Sequence, residues 1–296
     1  MTEGPATIPA LLAATAAAHP DTVAVVDGDT RLTYAELRGE AHRAAAALVA
    51  AGLAVGDSVG IWAFNCAEWI VAALGSWSAG CVVVPVNTRF KGNEAADVLR
   101  RGRCRALVTV TDFLGTDYVA LLRESAVALD DLATVVVARG PVPAGAMAWS
   151  AFLAGAGDDD RAEADRREGS VGPDDPSDIL FTSGTTGAPK GVVQTHARTL
   201  RVGTDWVAMT GLDGGDRYLM VNPYFHMFGL KAGILASMAA GARMLPQATF
   251  DVDTVLRRIE DERVTVLPGA PTLYQSILDH PGRAGRDLTS LRVAVT

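Results

Sequence analysis

Short apolar runs alternate with stretches of helical spacing along most of the chain. VAVVD (23–27) and RLT (31–33) read as strands. Tyr34 to Ala51 then sets Leu37, Ala44, Leu48 and Ala51 on one helical face, and Gly52 ends it. SVGIWA predicts a strand, the segment from Trp69 a helix and CVVVPV a buried strand. A helix over Glu94 to Arg101, the strand ALVTV, the helix YVALLRES and the strand TVVVA follow. Between Gly155 and Asp178 the pattern breaks. GAGDDDRAEADRREGSVGPDDPSD is charged, rich in Gly and Pro and nearly free of apolar residues, so it predicts an exposed loop. We place a boundary here, with one α/β region over 1–170 and a second over 171–296. In the second, ILFTS and GVVQTH predict strands, Ala197 to Met209 a helix and YLMVN a strand. His226 to Ala240 is helical, ARMLP a strand, Val252 to Glu262 a helix and VTVLP a strand. Pro271 starts a helix that Pro281 stops, and LRVAV is a last strand. β-branched runs separated by helices imply an α/β fold with parallel strands buried on both faces.

Composition narrows the classes. The 296 residues are 49% hydrophobic and 20% charged, with a formal net charge of -8. That is enough apolar mass for a sizeable core. An acidic chain with scattered Lys and Arg lacks the basic footprint of a nucleic-acid binder, so any anionic ligand must be held by local geometry. Cys66, Cys81 and Cys104 form no CxxC pair, which excludes a disulfide framework and suits a reducing cytoplasm. Their flanks do not recommend them as nucleophiles. The apolar N-terminal stretch has no basic residue before Arg31 and reads as a short helix, not a signal peptide. Trp69 to Asn87 is long and uncharged, but Gly75, Gly80 and Pro85 interrupt it, so a buried helix and strand are expected in place of a membrane span.

Residues 182–191, TSGTTGAPKG, concentrate the candidate chemistry. Gly184, Gly187 and Gly191 permit close backbone approach, and exposed N–H groups in such a turn form an anion-binding nest. Thr182, Ser183, Thr185 and Thr186 add hydroxyls, and Lys190 adds a point charge. The loop joins two strand-like runs, and Pro189 directly precedes the lysine, so it is not the Walker loop. From residues alone, two readings stand: a phosphate clamp, or a polar hairpin turn. NPYFHMFGLKAGI (222–234) sets His226 among Tyr224, Phe225 and Phe228, either as a hydrogen-bonded core residue or as a site residue. No second ligand is spaced to make it a metal site. Lys231 is a pocket residue or a solvated helix residue, the second reading being favoured, and Asp251, Asp253 and Glu260 read as a solvated helix face.

TSGTTGAPKG matches the phosphate loop of the adenylate-forming (AMP-binding) superfamily, and the chain resembles that family's acyl-CoA synthetase branch. RLTYAELRGEAHRAAAALVAAG and VVVPVNTRF resemble its N-terminal segments, and NPYFHMFGLKAGI is similar to actinobacterial ligases for steroid-ring propionates or fatty-acid-like chains. The resemblance implies the fold of the family's N-terminal region, with mixed, largely parallel sheets flanked by helices. It also implies that an acid is activated with ATP and Mg²⁺ to an acyl-adenylate and passed to coenzyme A. By the same resemblance Thr182, Ser183, Gly184, Thr185, Thr186, Gly187 and Lys190 hold ATP phosphates. Lys190 and His226 are then the catalytic residues, and His226, Phe225 and Tyr274 border the acyl pocket. The expected partner is a small carboxylic acid, with no nucleic acid and no transmembrane segment; a homodimer is left open. The family's adenine, ribose and mobile-lid elements lie beyond the position matching Thr296, so an incomplete form is expected, lacking the C-terminal lid domain. Two alternatives stay open, an adenylation domain that loads a carrier protein and a non-catalytic remnant.

Overall fold

In the computed structural model, residues 4–182 and 189–296 are described. Thr7 caps α1 (Ile8–Ala18), and a hairpin of β1 (Val23–Asp27) and β2 (Thr30–Thr33) follows. Helix α2 (Tyr34–Ala50) starts at a capping box. Glu36 N–H donates to Thr33 Oγ1 at 3.2 Å, and Thr33 N–H donates to Glu36 Oε2 at 2.8 Å. Next come β3 (Ser58–Trp62), α3 (Ala67–Ser78), β4 (Val82–Pro85), α4 (Gly92–Arg101), β5 (Cys104–Val110), α5 (Tyr118–Arg123) and β6 (Thr134–Arg139). The pair β7 (Met147–Ala148) and α6 (Trp149–Ala154), too short to show a period, leads into α7 (Asp158–Ser170).

Helix α7 replaces the loop expected over 155–178. It carries almost no apolar stripe, and only Ala164 is buried. Charge supports it instead. Asp158, Asp159 and Asp160 occupy the first turn, where the helix dipole favours carboxylates. Glu163 pairs with Arg166 and Arg167, and Asp158 with Arg161, at the spacings that meet on a helix surface.

The second half contains β8 (Pro176–Thr182), β9 (Lys190–Thr195), α8 (His196–Thr210) and β10 (Arg217–Met220). A π-helix over Phe228–Leu235 runs into α9 (Ala236–Ala240). Then follow β11 (Arg243–Pro246), α10 (Val252–Asp261), β12 (Val266–Pro268), α11 (Pro271–Asp279) and β13 (Val293–Val295).

Among the described residues the strands form two sheets, ordered β13-β12-β10-β11-β1-β2 and β7-β6-β5-β3-β4-β8-β9. All pairings are parallel except the hairpins β1/β2 and β8/β9. The sheets do not divide at residue 170. The N-terminal hairpin completes the sheet of the second half, and β8/β9 completes that of the first. The two regions expected from composition therefore exchange strands.

Helix α3 is buried at almost every position and touches strands of both sheets. Apart from Glu68 in its first turn it is made of apolar and small residues, as suits a helix with almost no solvent face. A Cβ at its Gly75 would lie 2.5 Å from the Ala44 Cβ, so the alanine face of α2 approaches as closely as it does only because Gly75 has no side chain. No helix among the described residues is long and apolar enough to cross a membrane. At the sheet ends Arg139 of β6 pairs with Asp27 of β1 and Glu68 of α3, tying the two sheets together.

Candidate active site

A cleft of about 260 Å³ opens where strands of both sheets end. Pro85, Asn87 and Phe90 reach it from the end of β4, Phe181 and Thr182 from the end of β8, and Phe225 and His226 from the chain after β10. The carboxyl ends of strands are where α/β sheets place ligands. Thr182, Phe225 and His226, all singled out in the sequence, meet here. Ser183, Gly184, Thr185, Thr186 and Gly187 lie outside the described residues.

The strands flanking the loop form an antiparallel hairpin, with Thr182 opposite Lys190. Lys190 is exposed at the start of β9. Arg101, at the end of α4, donates to the Pro189 carbonyl at 2.5 Å, and its guanidinium lies 5.3 Å from the centre of the Phe181 ring. It braces the base of the loop from both strands. Nothing in the sequence distinguishes Arg101 from its neighbour Arg100 in that helix.

His226 is exposed, and its Nδ1 accepts from the Phe228 N–H at 3.2 Å. In a neutral ring the proton then sits on Nε2, which is left as a donor; this tautomer follows from the hydrogen bond. Asn65, just past β3, fixes the segment that carries the histidine. Its Nδ2 donates to the Met220 and Asn222 carbonyls, each at 2.9 Å, and its Oδ1 accepts from the Tyr224 N–H at 2.9 Å. This buried amide was not apparent in the sequence, because its partners lie more than 150 residues away. Gly229 completes the turn. A Cβ there would meet the Pro223 carbonyl oxygen at 2.2 Å. The π-helix thus starts in contact with the chain before it, a feature often found at functional sites.

Lys231 corrects the expectation of a solvated residue. It is buried, and its ammonium lies 3.3 Å from Asp178 Oδ2, a Coulomb contact without hydrogen-bond alignment. Its hydrogen bond goes to Thr199 Oγ1 at 3.0 Å. The Ser177 and Thr199 hydroxyls each donate to Asp178 Oδ1 at 2.8 Å. The network joins the π-helix after His226, helix α8 and the strand that enters the loop. Burial of a single charge here would cost several kcal/mol, so Lys231 and Asp178 are present as a pair.

Tyr274 does not join the cleft. Its hydroxyl lies 2.5 Å from the Leu267 carbonyl and 2.9 Å from that of Val295, holding β12 and β13. The three thiols are buried, and burial pushes that of Cys81 up to about 12 and those of Cys66 and Cys104 higher still. Asp251 caps α10, and Glu260 pairs with Arg286 on its outer side. Among the described residues no group of three His, Cys, Asp or Glu side chains could hold a metal ion, and the cleft residues include no carboxylate. They do not make a Mg²⁺ site by themselves.

The family model for the AMP-binding enzyme matches residues 12–296. The chain belongs to the AMP-binding enzyme family. It is 46% identical over 302 residues to a 3-[(3aS,4S,7aS)-7a-methyl-1,5-dioxo-octahydro-1H-inden-4-yl]propanoyl:CoA ligase of Rhodococcus jostii, covering 100% of this chain and 58% of that protein. A ligase of the same name from Mycobacterium tuberculosis is 47% identical, with 98% of this chain and 56% of that protein covered. The chain thus spans little more than half the length of these curated relatives. Among solved structures, the N-terminal domain of FACL13 from Mycobacterium tuberculosis matches with a TM-score of 0.84 and 26% identity, over 98% of this chain and 69% of that one. The anthranilate CoA ligase AuaEII matches in fold, with a TM-score of 0.85 at 24% identity, over 97% of this chain and 54% of that one. The AMP-binding fold expected from the 182–191 loop is therefore shown, with its mixed sheets flanked by helices.

Proposed function

We propose that this protein activates a carboxylic acid with ATP and transfers the acyl group to coenzyme A. One observation carries the reading: the cleft places His226 beside the strand end that enters the TSGTTGAPKG loop. In the first step a carboxylate oxygen attacks the α-phosphorus, the bond to the bridging oxygen breaks and pyrophosphate leaves. In the second, the thiol sulfur attacks the acyl carbon, AMP leaves and the thiol proton goes to solvent. Both the attacking and the leaving groups are anions, so charge neutralisation and alignment lower the barrier. Residues 182–187 and Lys190 hold the phosphates, and His226 Nε2–H donates to the carboxylate and orients it. Mg²⁺ belongs to this reading as a partner of the phosphates, whose charge it offsets.

The acid we favour is a propanoate borne on a fused carbocycle, like that in the names of the two relatives. Phe90, Phe181 and Phe225 line the cleft with apolar rings suited to such a body, and its described residues include no carboxylate to bind a substrate amine. That chemistry separates the acid from an amino acid. The three buried thiols suit a reducing compartment, and we place the protein in the cytoplasm.

ATP–pyrophosphate exchange driven by an indane-ring propanoate, followed by thioester formation with coenzyme A, checks the reading. Lys190→Ala is expected to weaken ATP binding at least tenfold. His226→Ala is expected to lower kcat/KM for the acid at least tenfold with ATP binding unchanged. Wild-type ATP affinity in Lys190→Ala would refute the loop assignment, and wild-type acid kinetics in His226→Ala would refute the other.

A further inference from the structure

Arg217 and Arg243 are the first residues of the adjacent parallel strands β10 and β11, and they are partners in register. Side chains of registered partners emerge on the same face of a sheet, so two guanidinium groups start side by side. Like charges directly opposite one another destabilise a sheet. Arg31 of β2 joins them. It is registered with Val26, Val25 is registered with Met244, and Leu245 lies two residues past Arg243. Strand alternation therefore puts Arg31, Val26, Leu245, Arg243 and Arg217 on one face. They line a cleft of about 280 Å³ together with Asp261, Glu262 and Arg263.

Two carboxylates line the cleft; Asp261 sets one negative charge against the three arginines, and the other is engaged elsewhere. Glu262 is taken by Arg258, with contacts of 2.5 and 3.1 Å, and Arg263 is paired with Asp287. None of Arg31, Arg217 and Arg243 makes an ion pair among the described residues. Arg217 donates to the Arg263 carbonyl at 3.3 Å, and Arg243 Nε is buried with no hydrogen-bond partner. Burial first, then the charges of Arg217 and Arg31, pull the Arg243 pKa down, against the opposing pull of Glu262. In a chain of net charge -8 the grouping runs against the overall field.

We propose that Arg31, Arg217 and Arg243 form a binding site for a phosphate-type oxyanion, at the N-terminal ends of β10 and β11 and away from the nucleotide cleft. Guanidinium forks bind the oxygens of phosphate in pairs. The ligand is either free phosphate or the phosphate group of a small metabolite. The site is independent of the proposed catalytic reading, since it shares no residue with the loop or with His226.

The test uses the intact protein carrying Lys190→Ala, which weakens the phosphate loop. Thermal unfolding is followed while inorganic phosphate, or glycerol 3-phosphate in a second arm, replaces chloride at constant ionic strength. Calorimetry then gives the affinity. A saturable rise in Tm is expected, with affinity falling at least tenfold in Arg31→Gln/Arg217→Gln. The exposed Arg31→Gln single variant, expected to lose severalfold, gives the same readout where the double variant fails to fold. Tighter binding of the first ligand assigns the free ion, and of the second a phosphorylated metabolite. No response beyond that to chloride, or an equal response after the arginine substitutions, overturns the proposal.

Discussion

Replacing Lys231 with methionine isolates the buried pair that joins the loop strand to the helix after His226. Methionine matches the length of the lysine stem and keeps its apolar packing, so the change removes mainly the charge and one hydrogen bond. Asp178 would then be a buried carboxylate without its cation. Removing one member of a buried pair costs about 3–5 kcal/mol. Here Asp178 keeps hydrogen bonds from Ser177 and Thr199, each at 2.8 Å, so we expect the lower end, about 3 kcal/mol. Asp178→Asn relieves the charge that is left behind. The double variant Asp178→Asn/Lys231→Met should therefore be more stable than Lys231→Met alone, with a coupling energy of about 2 kcal/mol. Urea unfolding followed by tryptophan fluorescence and by far-UV circular dichroism measures all four proteins. Coincident transitions make their free energies comparable. A loss below about 1 kcal/mol in Lys231→Met, or additive losses in the double variant, would refute the assignment of a buried, mutually dependent pair.

Two further outcomes follow from the geometry. His196 accepts from the Ile8 N–H at 3.3 Å through Nδ1, and burial pushes its pKa down to about 4 from 6.5, against the opposing pull of Asp175 and Asp178. The folded protein therefore holds it neutral while the unfolded chain takes up a proton, so its contribution is full above pH 6.5 and is lost as pH falls toward 4. We expect about 3 kcal/mol of pH-dependent stability over that window, absent in His196→Gln when the two are compared by urea unfolding at several pH values. Gly229→Ala forces a Cβ to within 2.2 Å of the Pro223 carbonyl oxygen, so the segment bearing His226 must move. We expect a loss of about 1–3 kcal/mol and a fall of at least tenfold in kcat/KM for the acid; wild-type values in both assays would count against that contact.

Local patterning determined a large share of this protein. Alternating apolar runs and helical periods located most strands and helices, because burying one face constrains residues a few positions apart. TSGTTGAPKG pointed to the family that the match over residues 12–296 shows, because its small residues, hydroxyls and cation stand close together in the chain. Helix α7 escaped because pairs such as Glu163 with Arg167 stabilise it without an apolar period. Tertiary structure alone decided what depended on distant neighbours. It moved the hairpin β1/β2 into the sheet of the second half, made Asn65 the clamp of the 220–224 segment and buried Lys231 against Asp178. It also separated Tyr274 from His226 and brought Arg31 beside Arg217 and Arg243. A charge or an amide carries no mark in one dimension of whether water or a partner will meet it; packing settles that, because an unpaired polar group in the core costs more than a pair.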